Sequence, residues 1–490
     1  MANTNPVIGV VLLARHGDRA GFYQNPNTYA ASNTSITPLG EQQLYQVGNM
    51  LRTIYADPSS DRAIQGLSNS TLNAAQINST ADGGGEGVCG DMVQLQQVAL
   101  WQGFYPPNAT VSSETLANGT NVTSPLNGYQ TLQINTVLPA DDVDFESWVN
   151  CETWANRTNE FYNSTVFLAK TAESAPFLKS LQTAGLVGGR NVPLVNAYNL
   201  YDFINVQRIH NATYSALLDT NGPYTLNAMR ALADFHEYGS FTDSSDSGIG
   251  NIAGRTFLPR VLASFDQFAN GTEVKIAHYQ MSYKPFLSVF NMTDLSAAGF
   301  AGATAIVDYG SVATFELRKS MTNSTGFDVR FGFRNGSFDG TIPVSVPSSL
   351  VASFDFTYYP LFGSSSVDIP LASFETQLAS SIIPNTTAWC HACSNTLNSG
   401  CATVALADKY EKLFQQSSSE SHFSPVGAGF IGFAVTAVLG ALILLLLARL
   451  GWVSFGSRQQ RNRDLYPLRL GGPAKNVAGE DAGSVASSHF

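Results

Sequence analysis

Charge is what this sequence has least of. Charged residues make up 13% of its 490 residues, about half the roughly 25% usual in soluble domains. A surface so poor in charge has to be covered by Ser, Thr and Asn. Basic residues are the scarcer sign: residues 1–448 carry 20 Lys and Arg against 34 Asp and Glu. That acidity argues against nucleic acid as a partner. Cysteine is sparse too, with Cys89, Cys151, Cys390, Cys393 and Cys401. A C-x-x-C is present at Cys390 and Cys393, with His391 inside it, but there is no second one. Only three sulfurs are local, so zinc is the weaker reading and disulfides the stronger in a lumenal setting, with one cysteine left over. No metal and no cofactor is expected, and no internal repeat is visible. The apolar run near the start has no basic residues ahead of it and no small-residue cleavage site after it, so it does not read as a signal peptide.

What the chain has instead is Asn and Thr. Fourteen N-x-S/T sequons lie between Asn33 and Asn385, which predicts a glycosylated surface outside the cytosol. Val426 to Ala448 is 23 residues without a charge, long enough to cross a bilayer with some tilt. Arg449, Arg458, Arg461 and Arg463 follow, placing the C-terminal tail in the cytoplasm. The expected topology is a single-pass membrane protein with the bulk of the chain extracellular or lumenal.

The stretch around which the rest is organised reads VIGVVLLARHGDR, Val7 to Arg19. Its unbroken apolar run suits a strand buried on both faces. It ends in Arg15 and Arg19 with His16 between them. Catalytic groups often sit beyond the carboxyl end of such a strand. Two guanidiniums can grip one phosphate through forked hydrogen bonds. A histidine between cations is held neutral, hence nucleophilic, at mildly acidic pH. A neutral imidazole facing an arginine-held phosphate is the chemistry of a phosphohistidine intermediate.

This stretch resembles the RHGxRxP signature of the histidine acid phosphatases, with Gly21 in place of the proline. Further along, Thr37-Pro38-Leu39-Gly40 leads into an amphipathic helix, as in that family, with Thr37 as its cap. The ending FYPP before Asn108 is similar to the family's GLYPP. The helix NIAGRTFLPRVLASFDQFA, Asn251 to Ala269, looks like the one that returns from the family's cap to its core. The strand from Val274 to Ala277, ending at His278, is similar to the family's strand that ends in His-Asp. FELRKS resembles its final strand.

The resemblance implies an α/β fold: a phosphoglycerate mutase-like three-layer core with an inserted, mainly helical cap, plus one C-terminal transmembrane helix. The expected boundaries are core 1–110, cap 111–269, core 270–405, stalk 406–425, membrane helix 426–448 and tail 449–490. It implies a site of His16 and His278 with Arg15 and Arg19 on the phosphate. Two positions depart. The Asp that protonates the leaving oxygen in the family is Tyr279 here. The loop before the FYPP helix, NSTADGGGEG, lacks the family's further arginine and offers Asp82 and Glu86 as substitute acids. Its glycines can also present backbone N–H groups to an anion. Arg62, upstream, is a possible compensating cation whose position does not match. His210 and His236 fall in the cap and read as packing. The function implied is hydrolysis of small phosphomonoesters through a phosphohistidine, with an altered general acid. The alternative is a pseudophosphatase that binds anionic ligands at the cell surface without turnover. A structural or adhesive glycoprotein fits the sequons but ignores the signature.

Overall fold

All nine residues of β1 (Val7–Arg15) are buried. The strand lies in the middle of a seven-stranded sheet ordered β2-β5-β1-β6-β7-β8, with β9 also paired to β7. The computed structural model describes residues 5–21, 34–83, 90–138, 141–222, 224–336, 355–420, 435–440 and 442–444. β1 runs parallel to β5 (Ile276–Met281), which is parallel in turn to β2 (Ile77–Ala81). On its other side β1 is antiparallel to β6 (Val312–Lys319), and β6 to β7 (Phe327–Arg334). β8 (Thr357–Tyr359) and β9 (Asp368–Pro370) complete the sheet. A separate exposed hairpin, β3 (Ser113–Thr115) with β4 (Asn121–Thr123), lies off it.

The alternation of a pleated strand divides the core in two. Val10, Leu12 and Ala14 face α1 (Pro38–Tyr55) and α2 (Gly90–Phe104), where Leu44, Val47, Leu51, Leu100 and Phe104 join them. Val11 and Leu13 face the other side, packed with Phe257, Phe265 and Phe268. The register slips between Val7 and Gly9, which reverses the alternation there: Val7 joins Val10 in one cluster and Ile8 joins Val11 in the other. At Gly9 a Cβ would lie 2.5 Å from the Phe268 ring, so only glycine lets that helix seat against the sheet.

After a single turn, α3 (Pro125–Gly128), the chain is mainly helical. It runs through α4 (Glu152–Tyr162), α5 (Thr165–Thr183), α6 (Ala197–His210), α7 (Ala212–Thr220) and α8 (Tyr224–Phe241). A separate apolar cluster around Leu181, Leu200, Ile204 and Met229 holds α5, α6 and α8 together. α9 (Ile252–Ala269) and α10 (Lys284–Met292) then pack on the Val11 face of the sheet. After β9 come α11 (Leu371–Leu378), α12 (Thr386–Ala392) and α13 (Cys401–Glu420).

Two disulfides form, Cys151–Cys393 and Cys390–Cys401. The first ties the start of α4 to the end of α12 across 242 residues, closing a loop whose freedom in the unfolded chain is large. No group of residues suited to hold a metal occurs among the described residues. Cys89 lies outside the described residues.

Residues up to Tyr410 form one compact unit, and those from Glu411 a second. In the second, residues 435–440 and 442–444 are helical, with Val435, Val438, Leu439, Leu442 and Ile443 exposed. Most of 426–448 lies outside the described residues, as does all of the tail. Among the described residues no helix is long and apolar enough to cross a membrane.

Candidate active site

The polypeptide leaves β1 at Arg15 and turns sharply against α1. Gly17 and Gly40 make this possible: a Cβ on Gly40 would fall 2.1 Å from the Asp18 carbonyl oxygen. Thr37 caps α1 by accepting from the Gly40 amide at 3.1 Å. Its hydroxyl also donates to the Asp18 carboxylate. Gln43 accepts from the Asp18 amide at 2.7 Å. Gln96, on α2, accepts from the Gly17 amide and donates to the Asp18 carbonyl. The signature loop is thus fixed at nearly every backbone group.

His16 is fully buried. Its Nδ1 lies 2.8 Å from the Gly17 carbonyl. A carbonyl only accepts, so Nδ1 carries the proton and the lone pair is on Nε2. Arg15 donates to the Val307 carbonyl, and its guanidinium stacks 4.6 Å from the Tyr309 ring and 5.1 Å from that of Tyr283. Arg19, fully buried, pairs with Asp202 of α6 at 3.0 Å and reaches the Tyr198 hydroxyl at 3.4 Å. The Tyr309 ring stands 5.5 Å from the His16 ring and 6.0 Å from the Arg19 guanidinium. Arg15, His16 and Arg19 therefore converge on one small region at the carboxyl end of β1.

Beside Arg15 lies a cleft of about 470 Å³. Arg15, Gln43 and Tyr309 line it from the core, Tyr201, Asp202 and Arg208 from α6, and Arg230 from α8. Arg230 binds Asp308 at 2.5 Å and the Ile306 carbonyl at 2.6 Å. Arg208 is exposed. These two arginines, on α6 and α8, were not singled out by the sequence. They sit on helices whose pattern is set by packing, and only the fold brings them to Arg15. Arg62 lies elsewhere. It is forked onto Asp355 next to a segment in which Gln65 pairs with Val7, at the opposite end of β1.

β5 differs from its expected form. It runs through Ile276–Met281 and does not end at His278. His278 pairs in register with Leu12 and faces α2, where its Nδ1 meets the Gln97 side chain at 2.7 Å and its ring packs edge-on against Trp101. Burial drives its pKa down to about 3, so it stays neutral. Tyr279 points to the other face, between Phe145 and Phe257, with its hydroxyl 3.1 Å from Ser264. Burial pushes its pKa up. The residues that reach the strand's end, beside His16, are Met281 and Ser282: the His16 amide donates to the Met281 carbonyl at 3.2 Å.

Asp82 occupies the matching place on the other side of β5. Its amide donates to the Gln280 carbonyl at 2.9 Å, and its side chain is fully buried. With strands about 4.8 Å apart, Asp82 and His16 flank β5 at roughly 10 Å. Beside Asp82 lies Asp142, which accepts from the Gly83 and Phe145 amides. Burial first, then the charge of Asp82, pushes Asp142 up to about 8. Nothing in the sequence marked Asp142, because its partner is 60 residues away. Glu86 lies outside the described residues.

No family model matches the chain, and no curated protein matches it. Solved structures do. The phytase from Citrobacter braakii is 12% identical over 78% of this chain and 98% of its own, with a TM-score of 0.50. Hafnia alvei phytase in complex with tartrate is 12% identical over 80% and 98%, with a TM-score of 0.52. Klebsiella sp. ASR1 phytase is 12% identical over 77% and 96%, at 0.50. The chain therefore has a mixed α/β fold similar to that of these phytases.

Proposed function

We propose that the chain is an acid phosphatase acting on small phosphomonoesters through a phosphohistidine at His16. The observation that carries this reading is the convergence of Arg15, His16 and Arg19 at the carboxyl end of β1, where Arg15 lines a cleft. Arg15 and Arg19 would hold the phosphoryl oxygens and offset the charge that builds up in transfer. His16, protonated at Nδ1 and held by Gly17, presents Nε2 to phosphorus. The P–O bond to the alcohol breaks as N–P forms, and water later takes the phosphoryl group from nitrogen.

The alcohol needs a proton as it leaves. Tyr279 is enclosed by aromatic rings, and His278 is buried against α2, so neither is assigned that role. We assign it to the Asp82–Asp142 pair. Two nearby buried carboxyls do not both ionise, so one proton is retained well above the usual carboxylate range. Asp82 is the member whose backbone pairs with β5, across from His16.

A second reading is a catalytically impaired module that binds anionic ligands. It is favoured by the Asp202–Arg19 pair and by the Tyr309 ring set among Arg15, His16 and Arg19. Hydrolysis of a chromogenic phosphomonoester by the full-length protein across pH 4–7 separates the two. Turnover that vanishes in His16→Ala supports the enzyme. Binding of inorganic phosphate without turnover supports the module.

On placement, we read Val426 to Ala448 as a single membrane span, with the tail cytoplasmic and the rest lumenal or extracellular. None of the sequon asparagines among the described residues is buried. Protease added to sealed vesicles should remove only the tail; protection of the tail with digestion of residues 1–425 would reverse the topology.

A further inference from the structure

A second pocket, of about 270 Å³, is lined by residues of α4, α6, α8 and α10. That is room enough for an aromatic ring, since an apolar cavity of about 150 Å³ takes up benzene. Its walls are aromatic. Phe241 of α8 lies 5.1 Å from the Trp148 ring and 5.2 Å from that of Trp154, on α4. Tyr162 adds a further ring at the end of α4. Trp154 and Tyr162 are both half-buried.

The polar groups of the pocket divide into two sets. One set is satisfied within the fold. Glu237 accepts from the Tyr283 hydroxyl at 2.7 Å with one oxygen and meets His236 Nδ1 at 2.7 Å with the other. His236 Nε2 in turn meets the Tyr162 hydroxyl at 2.8 Å. The pocket's carboxylate is therefore committed on both oxygens. The other set is open. The Lys284 ammonium lies 4.8 Å from the Trp148 ring and 5.5 Å from that of Tyr283. Among the described residues the lysine ion pair is Lys170–Glu173, and Lys284 has no carboxylate partner. Lys284 opens α10, where the helix dipole opposes a cation, so helix formation does not account for it. The Asn199 amide, on α6, likewise has no partner among the described residues.

We propose that this pocket binds an aromatic carboxylate, with its ring against the tryptophans and its charge on Lys284 and Asn199. Apolar walls with a few convergent polar groups are the usual make-up of a small-molecule site. A ligand ring gains by packing on Trp and Phe rings, and a carboxylate gains a charge-assisted hydrogen bond from an ammonium. A cationic ligand would meet Lys284 and find no carboxylate oxygen left uncommitted. The site does not depend on the phosphatase reading. Tyr198 lines both this pocket and the cleft beside Arg15, and its hydroxyl reaches Arg19, so the two sites are neighbours and the test has to separate them.

The test measures dissociation constants by ligand-observed NMR on the full-length protein at pH 7, with benzoate, benzyl alcohol and benzylamine. The proposal expects benzoate to bind about 10-fold more tightly than benzyl alcohol, the order of one charge-assisted hydrogen bond. Benzylamine, cationic at this pH, should bind most weakly. Lys284→Met, which keeps an apolar stem without the charge, should remove the advantage of benzoate and leave benzyl alcohol unchanged. Lys284→Arg should retain that advantage, and Trp154→Ala should weaken both ligands. Saturating inorganic phosphate should leave benzoate in place; displacement would put benzoate on the signature arginines and overturn the proposal. Absence of benzoate binding, benzoate no tighter than benzyl alcohol, or benzylamine the tightest would each overturn it. So would benzoate affinity that survives Lys284→Met, or a loss there shared equally by benzyl alcohol. The ranking of the three ligands on wild type needs no variant, so it decides the matter even where Lys284→Met fails to fold.

Discussion

The carboxyl ends of β1 and β2 stand two strands apart and gather opposite charge. At β1 the chain collects Arg15 and Arg19, and answers them with Asp202 of α6 and with the faces of Tyr283 and Tyr309. At β2 it collects Asp82 and Asp142, and burial, with the charge of Asp82, keeps Asp142 protonated to about pH 8. The cationic end is poised to hold an anion. The acidic end is poised to hold a proton. Neither end suffices for phosphoryl transfer, and β5 is the only strand between them.

The largest break in that comparison comes from the acidic end. Asp82→Asn should lower kcat/KM by about 10²–10⁴ for alkyl phosphates, the usual contribution of a general acid. The loss should be far smaller for nitrophenyl phosphate, whose leaving group needs little protonation. Equal losses on both substrates would remove Asp82 from proton transfer.

Next comes the cationic end. Arg19→Ala should raise KM and lower kcat together, by about 10²–10³ in kcat/KM if one well-placed charge-stabilising donor is lost. It also leaves Asp202 buried without its cation, so Asp202→Asn in the same chain should recover folding but not activity. Recovered activity would mean that Arg19 serves only to neutralise Asp202.

Asp142 sharpens the contrast through stability. Its folded-state pKa is raised to about 8 from 3.8, so the folded chain binds more protons than the unfolded one between those values. Stability should therefore fall as pH rises from about 4 to 8. Asp142→Asn should flatten that slope, as read by denaturant unfolding at successive pH values. An unchanged slope would mean the carboxyl titrates normally. His278 works in the other direction: its pKa of about 3 costs stability as pH falls below 6.5.

The smallest effect is expected at Tyr279. Tyr279→Phe removes only the contact with Ser264, and kcat/KM should stay within a few-fold. A loss as large as that of Asp82→Asn would restore Tyr279 as the proton donor. Tyr279→Asp, by contrast, should destabilise the fold, because it buries a carboxyl among Phe145 and Phe257.

The two ends also differ in how far they could be read in advance. β1 is nine buried residues followed at once by its polar groups, so the apolar run and the site are contiguous in the chain. The strand, the Thr37 cap and the helical stretch after Cys151 are legible for the same reason, since each depends on neighbours in sequence. β5 misleads because His278, Gln280 and Ser282 are polar yet buried. Its apolar pattern breaks off at His278 while the backbone ladder continues to Met281. Asp142, Arg208, Arg230 and Tyr309 acquire their places only from packing of distant segments. His210 Nε2 and Asp18 Oδ2, 192 residues apart in sequence, meet at 2.7 Å and are a pair of the same kind: a histidine at the end of α6 gives no local sign that it reaches the signature.

The central claim is that His16 takes the phosphoryl group. The direct measurement is a rapid acid-free quench of full-length protein turning over a labelled phosphomonoester at pH 5, followed by mass spectrometry of the peptide bearing Arg15 to Arg19. The account predicts phosphate on His16, stable to alkali and lost in acid, and none in His16→Ala, which should also be inactive. Turnover by His16→Ala, or label on any other residue, would contradict it.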